Sequence, residues 1–317
     1  MIRQIPGCRG TSAPLARGLT LPKRVVLIGH PVAQSLSGVL QQAAFDELGI
    51  DAVYEPVDTP LVDLPETIER LRGSEYLGAN ITVPHKERVV PLIDRLTEDA
   101  QHTGAVDTLT SEGSRLVGHN TDVTGFRVAL DQLVGRQKMP RHAVVLGAGG
   151  GARAAVHALI TAAFQRVIVF NRHLHRAESL VRHFARSASH MELRAMPWHE
   201  SVIEAELAKT KVLINAAYAP DAATVSPIPA ELLPAELLVL DLLYAPRDTQ
   251  LLRDARSAGA AEAMNGDVML LHQTAAAFEL WTGRQVAIDL LAAKLEQVRD
   301  EGPAATALAG AESATAE

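Results

Sequence analysis

The sequence predicts an α/β protein built from two α/β domains, the second of the Rossmann type that binds dinucleotides. Three observations lead there. The 317 residues suffice for two domains. Between Arg24 and Thr82, apolar runs of strand length alternate with segments of helical spacing. From His142 onward a second alternation begins, and its first strand runs straight into a glycine-rich turn, Gly147-Ala148-Gly149-Gly150-Gly151-Ala152.

Residues 1–22 carry Arg3, Arg9 and Arg17 but no apolar block of the secretory kind, and read as a flexible extension. Arg24 to Gly29 is a buried strand ending in glycine. Leu36 to Leu48 repeats apolar residues at helical spacing and stops at Gly49. Ala52 to Val57 reads as a strand, Leu61 to Leu71 as a helix and Tyr76 to Thr82 as a third strand. Such βαβαβ alternation implies a parallel sheet covered by helices. Ala105 to Thr110 and Arg115 to Gly118 form a strand pair around Glu112-Gly113.

Thr124 to Val134 is a linking helix, and Gly135 to Pro140 breaks the pattern, so the domain boundary falls in this region. The first domain is assigned residues 23–125 and the second 126–262. Within the second, His142 to Leu146 is a strand, followed by the glycine turn, a helix from about Arg153, a strand from Arg166 to Phe170 and a helix from about Arg176. Further strands lie at Lys211 to Asn215 and Leu237 to Leu240. After Gly266, two helices, Val268 to Trp281 and Val286 to Val298, close the ordered chain in a segment 263–298 that packs back on the first domain. Residues 299–317 are rich in Ala, Gly, Ser, Thr and Glu, lack an apolar stripe and read as a disordered tail.

Composition excludes several classes. A formal charge of -7 argues against a general nucleic-acid binder, which shows a basic face. No apolar run reaches membrane-spanning length. Cys8 is the single cysteine, so no intrachain disulfide forms, which fits a reducing cytoplasm. The 12 histidines are scattered, and neither His173 and His175 nor any other pair stands with Cys or Glu at ligand spacing, so no metal is expected. Aromatics are only 4%, which leaves the core to Ala, Leu, Val and Ile.

Three motifs carry chemistry together: Asn80-Ile81-Thr82-Val83-Pro84-His85-Lys86, then Asn120-Thr121-Asp122 with Gly125, then the glycine turn. A lysine, a carboxylate and a dinucleotide-type loop point to hydride transfer with an acid–base partner. Hydride delivery to a ketone develops alkoxide charge, which a positioned ammonium stabilises and protonates. The alternative is an ordinary surface pair of Lys86 and Asp122. In the turn, Gly147, Gly149 and Gly150 permit close backbone approach, and the following helix offers free N–H groups to a pyrophosphate. The spacing departs from GxGxxG, although Ala152 satisfies its Gly/Ala end. At the end of the next strand stand Asn171-Arg172, with Arg176 one turn on. Arginine suits a 2′-phosphate where an acid would suit the free ribose, so NADP is favoured over NAD; the bland alternative is solvated helix-start charge.

These motifs resemble, in order and spacing, the shikimate/quinate dehydrogenase family, from about Val25 to Gly283. Gly29-His30-Pro31 with Ser35-Leu36-Ser37 resembles its substrate-carboxylate motif. The Lys86 and Asp122 segments resemble its lysine and aspartate motifs, and Asn171-Arg172 with Arg176 its NADP phosphate motif. Asp241, Tyr244, Pro246 and Thr249, then Gly266, Met269-Leu270, Gln273 and Phe278 to Gly283, resemble its later signatures. The resemblance implies a cleft between an N-terminal substrate domain and the Rossmann-type domain. It implies reversible NADP-dependent reduction of 3-dehydroshikimate to shikimate, a step of the chorismate route to aromatic amino acids, by a monomer or homodimer. Lys86 is then the acid–base residue beside Asp122. Ser35 and Ser37 bind the ring carboxylate, although one of them also suits a helix N-cap. Asn80, Thr82, Asp107, Tyr244 and Gln273 face the cyclohexene carboxylate ring, and Gly147 to Ala152, Asn171, Arg172, Arg176 and Gly266 hold NADP. Alternatives are quinate or aminoshikimate dehydrogenase and a non-catalytic binding relative.

The chain departs from the family at three places. Asp107 stands where an Asn is usual; it accepts hydrogen bonds but cannot donate when ionised, and would suit a ring ammonium. Asn215-Ala216-Ala217-Tyr218-Ala219-Pro220 replaces Asn-Ala-Thr-Pro-x-Gly-Met. Gln34 and Gly38 replace His and Pro around the serines.

Overall fold

The computed structural model describes residues 22–32, 35–217 and 221–301. The chain begins with β1 (Lys23–Gly29), α1 (Ser37–Glu47), β2 (Ala52–Asp58), α2 (Leu64–Arg70) and β3 (Tyr76–Ile81). It continues through β4 (Arg95–Leu96), α3 (Glu98–Thr103), β5 (Thr108–Glu112) and β6 (Arg115–His119) into α4 (Thr121–Val134). The six strands lie in the order β2-β1-β3-β5-β6-β4. β1 runs parallel to β2 and β3, but β5 runs antiparallel to β3 and to β6. The first three strands are therefore parallel, as the alternation predicted, β5 and β6 form the expected antiparallel pair, and the antiparallel junction of β5 with β3 makes the whole sheet mixed. An apolar run specifies a strand and its buried face, not its direction; here Gly113, at φ +67°, makes the tight return into β6.

The second alternation comprises β7 (His142–Leu146), α5 (Gly150–Thr161), β8 (Arg166–Phe170), α6 (Leu174–Phe184), β9 (Glu192–Met196), α7 (Glu200–Leu207), β10 (Val212–Asn215), β11 (Leu238–Asp241), α8 (Gln250–Ser257) and β12 (Glu262–Met264). Every pairing is parallel and the order is β12-β11-β10-β7-β8-β9. Numbered within this sheet, that is the 3-2-1-4-5-6 order of a Rossmann fold, with the strand order reversing at β7. The glycine turn follows β7, so it sits at the crevice where such sheets take ligands. α5 starts at Gly150, three residues before the expected start near Arg153. Glycine is a poor helix former, and the β-region conformation of Gly149 marks the N-cap instead.

α9 (Asp267–Thr282) and α10 (Ile288–Glu301) close the chain. α9 joins the two cores: Met269 packs with Val145 and Ile214, whereas Leu270, Phe278 and Trp281 pack with Val25, Leu27 and Phe45. Phe45 and Phe278 meet with ring centroids 5.2 Å apart, and the Trp281 indole donates to the Leu109 carbonyl at 2.8 Å. Truncating Phe278 to Ala would cost about 3–5 kcal/mol, the usual price of a core aromatic. Gly125 in α4 lies so close to the Met269 carbonyl that no Cβ fits. α10 runs to Glu301, so Arg299, assigned by sequence to the tail, is helical and ion-paired with Asp267 at 2.5 Å. Residues 1–21 and 302–317, Gln34 and Tyr218 to Pro220, on which several expectations fall, lie outside the described residues.

Candidate active site

β3 ends at Ile81, and the next five residues carry Lys86 across the top of the first sheet. The loop is tied at both ends. Thr82 donates its N–H to the Ile28 carbonyl, and the Lys86 carbonyl accepts from the Val106 N–H at 2.8 Å. His85 is wholly buried with Nε2 2.6 Å from the Thr59 carbonyl oxygen, which anchors the loop from below. Asp122 stands in the first turn of α4, whose N-terminus is capped by Asn120 through the Val123 N–H. From these two anchors the Lys86 Nζ reaches Asp122 Oδ2 at 2.5 Å. The pair is no surface bridge, with side-chain exposures of 17% and 8%. Burial works against the lysine charge, but Asp122, Asp107 and Tyr244 outweigh it and raise the Lys86 pKa above its ordinary value.

Asn80 and Asp107, both expected to face a substrate ring, spend their polar atoms on the protein. The Asn80 amide donates to the Asp107 carbonyl and to Thr108 Oγ1, and its oxygen accepts from the Tyr54 hydroxyl at 2.8 Å. Asp107 Oδ1 accepts from the Thr108 hydroxyl and from the N–H and hydroxyl of Thr121, and Oδ2 accepts from the Asp122 N–H at 2.8 Å. The family resemblance gave no sign of this, because three of the four donors to Asp107 come from Thr121 and Asp122, at the start of a helix distant in sequence.

The remaining expected ring-facing groups stand on other elements. Ser35 and Ser37 flank the start of α1 and are half-buried; the Ser37 N–H lies 3.3 Å from Ser35 Oγ, while Leu36 occupies the N-cap without a side-chain bond. Thr82 is half-buried at the end of β3. Gln273, on α9, lies over Gly125 of α4, and its amide donates to Thr274 Oγ1 at 3.0 Å. Tyr244 follows β11 and acts electrostatically on both Lys86 and Tyr54, so the second sheet contributes a phenol to the lysine's surroundings. Its loop is braced on both sides. Asp241, fully buried, accepts from Asn215 at 2.9 Å and from Thr249 at 2.7 Å, and burial pushes its carboxyl up. Arg299 donates to the Tyr244 carbonyl at 2.8 Å.

The glycine turn meets the lysine directly. A Cβ on Gly150 would lie 2.8 Å from Cδ and 2.9 Å from Cβ of Lys86, so only glycine allows the lysine stem to cross the first turn of α5. Gly147 adopts φ +103° beneath Ala216 and Ala217, donating its N–H to the Phe170 carbonyl at 2.7 Å. Gly149 has nothing within 4 Å of where its Cβ would be, which leaves its backbone open to a ligand. Gly151 comes within ordinary contact of Leu242, while Ala148 and Ala152 are buried in the core of the second sheet. Gly266 starts α9 against the Leu242 carbonyl, too close for a side chain. Asn171 donates to the His173 carbonyl just past β8, and Arg172 and Arg176 are exposed there, neither in an ion pair among the described residues.

Sequence reasoning missed Arg153. From α5 its guanidinium reaches Glu87 Oε2 at 2.9 Å and the Thr103 carbonyl at 3.0 Å, joining the glycine-turn helix to the residue after Lys86 and to the end of α3. His157, one turn on, lies 3.1 Å from Asp99. Neither residue has a local signal, since every one of these contacts spans 50 residues or more. Among the described residues no group of three or more His, Cys, Asp or Glu could hold a metal ion, and no helix is long and apolar enough to cross a membrane.

Comparison with known proteins identifies the family. Residues 27–109 match the shikimate dehydrogenase substrate binding domain, 131–251 the shikimate/quinate 5-dehydrogenase model, and 268–296 the shikimate 5′-dehydrogenase C-terminal domain. A shikimate dehydrogenase (NADP(+)) of Symbiobacterium thermophilum is 38% identical over 274 residues, 85% of this chain and 92% of its own. The structure of the Thermus thermophilus shikimate 5-dehydrogenase in complex with NADP(H) and shikimate superposes with a TM-score of 0.75 at 36% identity, covering 87% of this chain and 99% of that one. The quinate dehydrogenase of Corynebacterium glutamicum, in complex with NAD, superposes with a TM-score of 0.78 at 26% identity over 87% of this chain and 99% of its own. With three family models in sequence along it and relatives this similar across nearly their whole length, the chain belongs to the shikimate dehydrogenase family.

Proposed function

We propose that this protein catalyses the reversible NADP-dependent reduction of 3-dehydroshikimate to shikimate. The observation that carries the reading is the contact of Lys86 with both Asp122 and Gly150, which brings an acid–base ammonium to the lip of a dinucleotide turn. The cofactor fits the residues present: the space beside Gly149 is open, α5 offers free N–H groups, and Arg172, just past β8, and Arg176, in the first turn of α6, stand without carboxylate partners among the described residues. NADPH, when bound, supplies the hydride.

The protein's own part is proton transfer and positioning. In reduction, the Lys86 ammonium hydrogen-bonds the ketone oxygen, stabilises the developing alkoxide and gives up a proton to it. In oxidation the neutral amine takes the hydroxyl proton. Asp122 orients Nζ and favours its charged form. Ser35 and Ser37 hold the ring carboxylate, and Thr82, Gln273 and Tyr244 hold the ring hydroxyls. Asn80 supports the site from behind through Tyr54 and Thr108. We assign the enzyme to the cytoplasm, as a monomer or homodimer, since a chain with one cysteine suits a reducing compartment.

The test is an NADPH-absorbance assay with 3-dehydroshikimate, and in reverse with shikimate, quinate and aminoshikimate, with Lys86→Ala as control. Quinate belongs in the panel because the quinate dehydrogenase is so close in fold. We expect shikimate to be the preferred ring acid and Lys86→Ala to be inactive.

A further inference from the structure

Asp107 lies immediately before β5, 2% exposed, at the N-terminal end of α4. A helix N-terminus leaves its first N–H groups without intrahelical partners. Asp107 takes two of them, from Thr121 and Asp122, one on each carboxylate oxygen, and adds the hydroxyls of Thr121 and Thr108. An ionised carboxylate offers about four lone-pair sites, and four donors are aimed at this one. Three of them fall on Oδ1 and one on Oδ2, and with the residue 2% exposed little of the carboxylate is open to a ring hydroxyl or ammonium. The carboxylate also meets the positive end of the α4 dipole, where negative charge is favoured.

We propose that Asp107 is a positioning residue: its carboxylate clamps the first turn of α4, and through it the aim of Asp122 at Lys86, without touching the substrate. The inference rests on the dehydrogenase reading above and refines its site. Asp122 is held through its own backbone N–H, so the residue that fixes the lysine is itself fixed from the neighbouring strand. An asparagine here presents an acceptor at one end only. Its NH₂ would face either the Thr121 or the Asp122 N–H, donor against donor, so the amide has to rotate and abandon the clamp.

Charge follows from the arrangement. Lys86 faces Asp122 on α4, Asp107 before β5 and Tyr244 after β11. Asp107 in turn faces Asp122, which with burial pushes its carboxyl up, against Lys86 and the two N–H groups. Both carboxylates hold the lysine proton more firmly, so removing the Asp107 charge lets that proton leave at lower pH.

The experiment measures kcat, KM and their pH profiles for native enzyme, Asp107→Asn and Asp122→Asn, with thermal melting of each, and ranks native turnover of shikimate, quinate and aminoshikimate. Native activity in this panel tests the dehydrogenase reading separately. We expect Asp107→Asn to lower kcat on the order of 10-fold through misplaced chemistry, with the alkaline limb of ketone reduction moved to lower pH and KM for the ring acid changed less than about twofold if the substrate is untouched. We also expect the native enzyme to show no preference for the aminated ring, a result that needs no variant to fold. A changed KM or substrate rank in Asp107→Asn with kcat and pH profile intact would overturn the proposal. So would native preference for aminoshikimate, which would mean the carboxylate is free to bind it.

Discussion

The aliphatic stem of Lys86 rests on Gly150, the first residue of α5, with a Cβ at 150 placed only 2.8 Å from the lysine Cδ. The proposed acid–base residue of the first sheet is thus packed against the glycine turn of the second. We expect Gly150→Ala to displace Lys86 and lower kcat on the order of 10²-fold, as a misplacement near 1 Å does. The melting temperature should fall as well, because the added Cβ meets the Lys86 Cβ at 2.9 Å and the overpacked loop has to shift. Steady-state kinetics and a thermal melt of one variant check both halves.

The pH profile of ketone reduction should carry the signature of the two carboxylates around Lys86. Burial opposes the ammonium, yet Asp122 and Asp107 raise the lysine pKa, so the acid form persists to higher pH than for a free lysine. The reduction rate is expected to fall only above the ordinary lysine value. Asp122→Asn removes the nearest negative charge, so that limb should shift to lower pH along with the loss of kcat.

Cofactor choice should depend on Arg172 and Arg176. Each charge-assisted hydrogen bond contributes about 1.5–3 kcal/mol, roughly 10-fold to 100-fold in affinity. We expect Arg172→Ala to raise KM for NADP by about that factor and to leave KM for NAD nearly unchanged. A parallel loss toward both cofactors would place the residue in the fold instead.

Arg153 should matter for stability and for catalysis at once, because it joins α5 to Glu87 and to the Thr103 carbonyl. Its guanidinium is 9% exposed but Glu87 is 33% exposed, so water takes up part of the lost pairing. We expect Arg153→Met to cost about 1–3 kcal/mol, the usual range for abandoned buried partners, measured by urea denaturation. A drop in kcat should accompany it as the Lys86 loop loosens.

The sequence made the chemistry legible wherever it was written locally. The apolar run into Gly147, the Lys86 and Asp122 motifs and the arginines after β8 all read from short segments. What did not read were relations between segments. β4 has two residues, and β9 is a half-exposed edge strand without the apolar run that marked β7 and β8. α8 went unread, although Thr249, noted only as part of a family signature, caps it with a hydroxyl that also holds Asp241. The antiparallel pairing of β5 with β3 is a relation between distant segments, and the start of α5 depended on a glycine acting as N-cap. Asn80 and Asp107 look like substrate groups by motif, and their hydrogen bonds to Tyr54 and α4 appear only once distant residues are brought together.

The most direct measurement is single-turnover reduction of 3-dehydroshikimate by NADPH in native enzyme and Lys86→Ala, with binding of both ligands measured separately. We expect rapid NADPH oxidation in the native enzyme, and loss of about 10²–10⁴-fold in the variant, the range for a general acid, with binding retained. A Lys86→Ala enzyme that reduces the ketone at the native rate would contradict the assignment of the ammonium as the proton donor.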